Sequence, residues 1–196
     1  MYKSGFRWKN ADRGDMRMEK ITYRPLEAGE ITRGLFGRFE RHQAVTKCWR
    51  KEDGRWVIRE HPFIDQWSET DYAELVRCLR HTLQTGGAVF GAFSGGVLKG
   101  FASVEGAPLG EKQNYLDLSS LHVSEDMRGK GIGRVLFNRA AGWAKGRGAE
   151  KLYISSHSAV ETQAFYRAMG CVEAEEYNPE HVRREPFDCQ LEYCLA

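Results

Sequence analysis

The run Leu121-His122-Val123-Ser124-Glu125-Asp126-Met127-Arg128-Gly129-Lys130-Gly131-Ile132-Gly133-Arg134 concentrates residue types that can hold an anion. Gly129, Gly131 and Gly133 lack Cβ atoms, so the backbone can turn sharply, come close to a ligand and converge its N–H groups on phosphate oxygens. A helix beginning there adds the positive end of its dipole. Arg128, Lys130 and Arg134 bring side-chain charge to the same place, which suits a diphosphate better than a single carboxylate. A glycine-rich connection whose basic residues merely face solvent is the alternative reading of the same letters.

Other phosphate loops fit less well. A Walker loop needs Gly-x-x-x-x-Gly-Lys-Ser/Thr, and a Rossmann fingerprint needs Gly-x-Gly-x-x-Gly directly after its strand. Here Leu136 stands at the last glycine position, and five residues separate Val123 from Gly129. A nucleotide-dependent oxidoreductase is therefore disfavoured. Downstream, Ala164-Phe165-Tyr166-Arg167-Ala168-Met169-Gly170-Cys171 reads as a helix that carries a tyrosine and ends at glycine.

Arg128-x-x-Gly131-x-Gly133 resembles the Gln/Arg-x-x-Gly-x-Gly/Ala signature of the GNAT superfamily of N-acetyltransferases, and the tyrosine helix resembles that family's second motif. Together the matches cover Tyr115 to Cys171. The resemblance implies a single α/β domain, a mixed and mostly antiparallel sheet flanked by helices. It implies acetyl-CoA as cosubstrate, with no metal. The pyrophosphate would lie on Arg128, Gly129, Lys130, Gly131, Ile132, Gly133 and Arg134. The pantetheine would add like a strand to the backbone of Leu121, His122 and Val123, which requires a splayed sheet. Two positions depart from the pattern. His157-Ser158-Ala159 stands where many members have asparagine, and Cys171 replaces a common phenylalanine.

Acetyl transfer to an amine needs a neutral amine, a polarised thioester carbonyl and a proton for the departing thiolate. Tyr166, matching the family tyrosine, is the candidate general acid; a core aromatic is the alternative. Asp117 lies six residues before Val123, where some members that modify protein lysine carry a glutamate, and is the candidate base; a structural carboxylate fits equally. Strand alternation puts Asp117, Ser119, Leu121 and Val123 on one face and His122 on the other. The acceptor is expected to be a primary amine of a small molecule, attacking directly in a ternary complex. A protein N-acetyltransferase and a non-catalytic acyl-CoA-binding module are the alternatives. Trp49, Trp56, Phe63 and Trp67 are expected to wall the acceptor pocket, or else to pack in the core. Glu173, Glu175, Glu176 and Glu180 offer weak attraction for a cationic amine, or a solvated edge.

These residues need elements to hold them. A strand is expected near Ile21–Leu26, a helix over Glu30–Arg41, and a hairpin over Val45–Ile58 turning at Asp53-Gly54. Tyr72, Leu75, Val76, Leu79 and Leu83 recur at helical spacing, with Ser68 as N-cap and Gly86 as stop. Ala88–Phe93 and Val97–Glu105 form a second hairpin, and Tyr115–Val123 reads as one further strand. A helix from Ile132 to about Trp143, strand Lys151–Ser155, a helix Val160–Met169 and strand-like runs Val172–Tyr177 and Asp188–Leu195 follow. A strand–helix–strand crossover of that length makes its two strands parallel.

Composition excludes more than it selects. In 196 residues, 29 Lys and Arg against 27 Asp and Glu leave a net charge of +2, so neither nucleic acid nor an anionic membrane is an expected partner. Five cysteines without a Cys-x-x-Cys pair argue against a disulfide framework or zinc site. No apolar run approaches the ~20 residues of a membrane span, and no secretory signal is visible, so a cytoplasmic protein is expected. Residues 1–20 read as a loose arm, with Asp12, Asp15 and Glu19 arguing against a transit peptide. The sequence does not reveal the oligomeric state, although exposed C-terminal strands could pair between subunits in a homodimer.

Overall fold

The computed structural model describes residues 20–195; the expected N-terminal arm lies outside them except for Lys20. Two four-stranded sheets form the scaffold. In the first, β1 (Thr22–Pro25), β4 (Ala88–Ser94), β5 (Val97–Val104) and β7 (Ser120–Val123) run antiparallel in the order β1-β4-β5-β7. The second has the order β6-β8-β10-β9, from β6 (Tyr115–Asp117), β8 (Lys151–Ser156), β10 (Cys189–Cys194) and β9 (Val172–Glu173). Only β6 and β8 are parallel. A separate hairpin joins β2 (His42–Glu52) to β3 (Arg55–Gln66). This is the mixed, mostly antiparallel α/β arrangement expected, with α1 (Glu69–Gln84), α2 (Ile132–Gly146), α3 (Val160–Ala168) and α4 (Pro179–Arg184). None of the described helices is long and apolar enough to cross a membrane.

Local chemistry explains most boundaries. Ser68 and Asp71 cap α1 reciprocally, satisfying two N–H groups that a helix start otherwise leaves open. The hairpins turn at Asp53-Gly54 and Gly95-Gly96, all with positive φ. On α2, Ile132, Leu136, Phe137, Ala140 and Ala144 are buried in the main core with Phe90, Ala102, Leu152 and Ile154. Gly100 of β5 sets how closely α2 lies. A Cβ there would meet Ile132 Cγ2 at 2.9 Å and Leu136 Cδ1 at 3.0 Å, so a larger residue would push away the helix entrance where the anion-binding turn sits.

Three expectations are corrected. In place of a helix over Glu30–Arg41, only a 3-10 turn at Arg33–Phe36 forms. Gly34 and Gly37 each disfavour a helix by about 1 kcal/mol, and Ile31, Phe36 and Phe39 insert into a second core with Tyr72 and Leu79 of α1. The run Tyr115–Val123 is two strands that part at Leu118-Ser119: β6 joins β8, while β7 stays on β5. The alternation that put Asp117 on one face with Leu121 and Val123 therefore does not carry across. Finally, α4 forms where no element was expected, with Asn178 accepting from the amides of Glu180 and His181 and Pro179 in the first turn.

Candidate active site

The parting of β6 from β7 opens a cleft, and β7 presents it an edge, since β5 is its only strand partner among the described residues. The far wall is α3. Strand β2 spans the gap above it. At one end the Glu40 amide donates to Ser124 Oγ (3.0 Å), and the Glu125 amide donates to the Glu40 carbonyl (3.0 Å). At the other, the Trp49 amide donates to the Ser158 carbonyl (2.8 Å) and Cys48 bridges to Ala159. Gln43 and Ala44, between these anchors, line a cleft of about 690 Å³ together with Leu121, Val123, Phe165 and Tyr166.

The glycine turn forms one end of this cleft, lined by Arg128, Gly129, Gly131, Ile132, Gly133 and Arg134. Gly131, at the N-cap of α2, has φ +78°, a left-handed conformation that L side chains adopt only with strain. Its missing Cβ would meet no protein atom within 4 Å, and the same holds at Gly129. Among the described residues, no acceptor pairs with the amides from Gly129 to Arg134. Open space, unpaired N–H groups and the positive end of a four-turn helix fit a pyrophosphate. Lys130 does not line the cleft; its Nζ turns back onto the Asp126 carbonyl at 3.2 Å.

A smaller cavity of about 190 Å³ continues from the cleft into the split between β7 and β8, and Leu121, Val123, Arg128 and Tyr166 line both. Tyr166 is only 6% exposed and packs edge-on against Phe137. Among the described residues no group hydrogen-bonds its hydroxyl. Burial raises its pKa further above the ordinary tyrosine value, helped by Cys171, Asp188 and Asp117, so the hydroxyl keeps its proton at neutral pH. His122 lines the smaller cavity from the opposite side, between Trp67 (4.8 Å between ring centroids) and Phe101 (5.3 Å). Burial, and then the positive charges of Arg41 and Arg128, push it down to about 3, so it is neutral.

Asp117 is not brought to this place. It is buried, lines neither cavity, and its Oδ2 lies 2.8 Å from His181 Nε2 on α4. Its Oδ1 has no hydrogen-bond partner among the described residues. Another carboxylate, tied to the cavity through a lining residue, is one that sequence reasoning passed over. Asp188 Oδ2 accepts from Ser155 Oγ (3.3 Å), Ser155 lines the smaller cavity, and burial pushes Asp188 up to about 6. A lone aspartate before a strand carries no signal of such a role.

The hairpin does reach the site, but not through its tryptophans. Trp49 lies under Arg167, with the guanidinium 4.2 Å from its ring, and Trp56 Nε1 donates to Glu173 (2.9 Å); neither lines either of these two cavities. Phe63 packs on His157, and Trp67 on His122. Arg41, Gln43 and Ala44 supply the lining instead. The glutamates considered for a cationic amine are engaged elsewhere: Glu173 with Lys51, Glu175 with Lys151, Glu180 with Arg184, and Glu176 with the Glu111 amide.

The profile of the Acetyltransferase (GNAT) family matches residues 45–171. No curated protein sequence matches the chain. Among solved structures, a nourseothricin acetyltransferase superposes with a TM-score of 0.66 at 17% identity, covering 90% of this chain and 99% of its own. The PaiA N-acetyltransferase of Thermoplasma acidophilum in complex with coenzyme A gives 0.56 at 16% identity, covering 89% and 99%. An acetyltransferase of the GNAT family from Staphylococcus aureus Mu50 gives 0.61 at 15%, covering 90% and 100%. Likenesses at these identities establish a shared fold.

Proposed function

The chain belongs to the GNAT acetyltransferase family, and from that premise we propose that it transfers an acetyl group from acetyl-CoA to the primary amine of a small molecule, by direct attack in a ternary complex. The observation that carries the reading is the meeting of two features in one cleft. An anion cradle at the start of α2 and a protonated, unpartnered tyrosine hydroxyl on α3 both line it. The turn from Arg128 to Arg134 is assigned to the pyrophosphate, and the free edge of β7, with the backbone of Leu121, His122 and Val123, to the pantetheine. Acetyl-CoA supplies an activated carbonyl and a thiolate leaving group. As nitrogen bonds to the carbonyl carbon and the C–S bond breaks, Tyr166 donates its O–H to sulfur.

The amine must also lose a proton. Asp117, the base expected from the sequence, would have to act through a relay, because it stands off both cavities. We therefore assign the proton to Asp188 through Ser155. Ser155 Oγ donates to Asp188 and accepts from Gln190 Nε2 at 3.1 Å, which leaves it a lone pair for an amine N–H. A base acts in its deprotonated form, so kcat/KM should rise with pH through about 6, the value to which burial and Glu185 push Asp188. Asp188→Asn is expected to lower kcat/KM about 100-fold and remove that acidic limb; Asp117→Asn, with the limb intact, completes the comparison. A limb that survives in Asp188→Asn and disappears in Asp117→Asn returns the role to Asp117.

The function itself is tested by calorimetric titration with acetyl-CoA, with NADH and ATP as controls, followed by CoA release across a panel of amines. Selective binding of acetyl-CoA and amine-dependent CoA release are expected. A preference for NADH defeats the reading, and binding without release with any amine leaves an acyl-CoA-binding module.

A further inference from the structure

We infer that the smaller cavity selects acceptors that carry an anionic group beside the reacting amine, such as an α-amino acid, with Arg41 as the anchor for a carboxylate. The inference rests on the acetyl-transfer reading and specifies its substrate class. Two cations, Arg41 and Arg128, line the cavity along with His122, His157 and a set of serines, and no carboxylate is among its lining residues. Both histidines are held below their ordinary pKa, by burial first, so they add no charge to compete with these cations at neutral pH. Asp65 offsets part of the charge of Arg41, and Glu105 and Asp188 stand behind Ser119 and Ser155, so the charged groups that an incoming molecule meets directly in this lining are cationic and favour an anion.

Arg41 is the better anchor of the two. Arg128 lies at the glycine turn, where phosphates are assigned, and lines both cavities, whereas Arg41 lines only the smaller of the two, beside Trp67. Its side chain is nine-tenths buried, and it is incompletely compensated. Asp65 engages one Nη, Gln43 Oε1 accepts only a long contact from the other (3.4 Å), and Nε is buried without a partner among the described residues. Burial outweighs Asp65 and holds the guanidinium below the usual arginine range. A buried cation with spare donors is stabilised by a further anion, and a guanidinium matches a carboxylate in shape and charge. The same field serves the chemistry, since a positive charge beside an ammonium favours its loss of a proton and so supplies the neutral nucleophile.

The test uses the CoA-loaded full chain and measures binding by calorimetry, independently of turnover. The probes are N-acetylglycine, N-acetylalanine and N-acetylmethionine, each against its uncharged amide. At least one acid is expected to bind about tenfold or more tightly than its amide. Arg41→Gln should abolish that difference. Asp65→Asn, which removes the competing carboxylate, should enlarge it several-fold, an opposite sign that mere misfolding does not produce. Equal binding of every acid and amide, no binding of any acid, or a preference untouched by both variants overturns the inference. CoA release on addition of the free amino acids is recorded alongside. Acid-selective binding without release keeps the anion site and removes the catalytic reading; release with polyamines and with amino-acid amides at undiminished rates does the reverse.

Discussion

Gly131→Glu is expected to weaken acetyl-CoA binding by at least about 100-fold, a loss of about 2.7 kcal/mol, while the protein remains folded. Two effects combine. Gly131 has φ +78° at the N-cap of α2, where a residue with a Cβ is strained by about 1 to 2 kcal/mol. A carboxylate there also occupies the anion site and puts like charge where the pyrophosphate should lie. Gly131→Ala separates them. Its methyl would touch no protein atom within 4 Å, so a purely structural glycine predicts a small loss in melting temperature and unchanged acetyl-CoA affinity. A weakening of about tenfold in Gly131→Ala, growing in Gly131→Glu, means that a ligand fills the space the protein leaves open. Calorimetric titration and thermal melting of both variants decide it, and wild-type affinity in Gly131→Glu would remove the pyrophosphate from this turn.

That turn was legible in the sequence because its chemistry is local: three glycines, three cations and a helix start lie within seven consecutive residues. The cap at Ser68 and both hairpin turns were legible for the same reason. What sequence reasoning missed is set by partners far along the chain. Tyr115–Val123 alternates like one strand, and only the competition between β8 and β5 for its two halves splits it. That split opens the smaller cavity, and with it goes the face on which Asp117 was counted. The hairpin is a similar case. Trp49 and Trp56 drew attention by residue type, yet where β2 docks on Ser158 and Ala159, more than 100 residues later, decides that Arg41, Gln43 and Ala44 face the site. Asp188 becomes a candidate only because Ser155 of the neighbouring strand comes within 3.3 Å.

Tyr166→Phe is expected to lower kcat by about 100- to 1,000-fold, with a small change in the KM for acetyl-CoA and little change in stability. The pattern follows from what the hydroxyl does in the free protein. Among the described residues it makes no hydrogen bond, so its removal breaks no contact, and phenylalanine keeps the edge-on packing against Phe137. A tyrosine that served only the core would show the opposite pattern, an altered melting temperature with turnover intact. Burial makes Tyr166 a weaker acid than a thiol, which ordinarily titrates near about 8.5. Its O–H therefore acts as a hydrogen-bond donor to sulfur as negative charge builds on the breaking C–S bond, and the departing thiolate takes its proton from solvent, so that Tyr166 keeps its own. The loss should accordingly appear in kcat rather than in binding, because the interaction exists only while that charge is present. It should also shrink with acetyl donors whose leaving thiol is more acidic, since such a thiolate needs less help. Single-turnover rates with two such donors, in the wild type and in Tyr166→Phe, measure this directly. An equal loss with both would leave Tyr166 a positioning residue, with no part in stabilising charge on the leaving group.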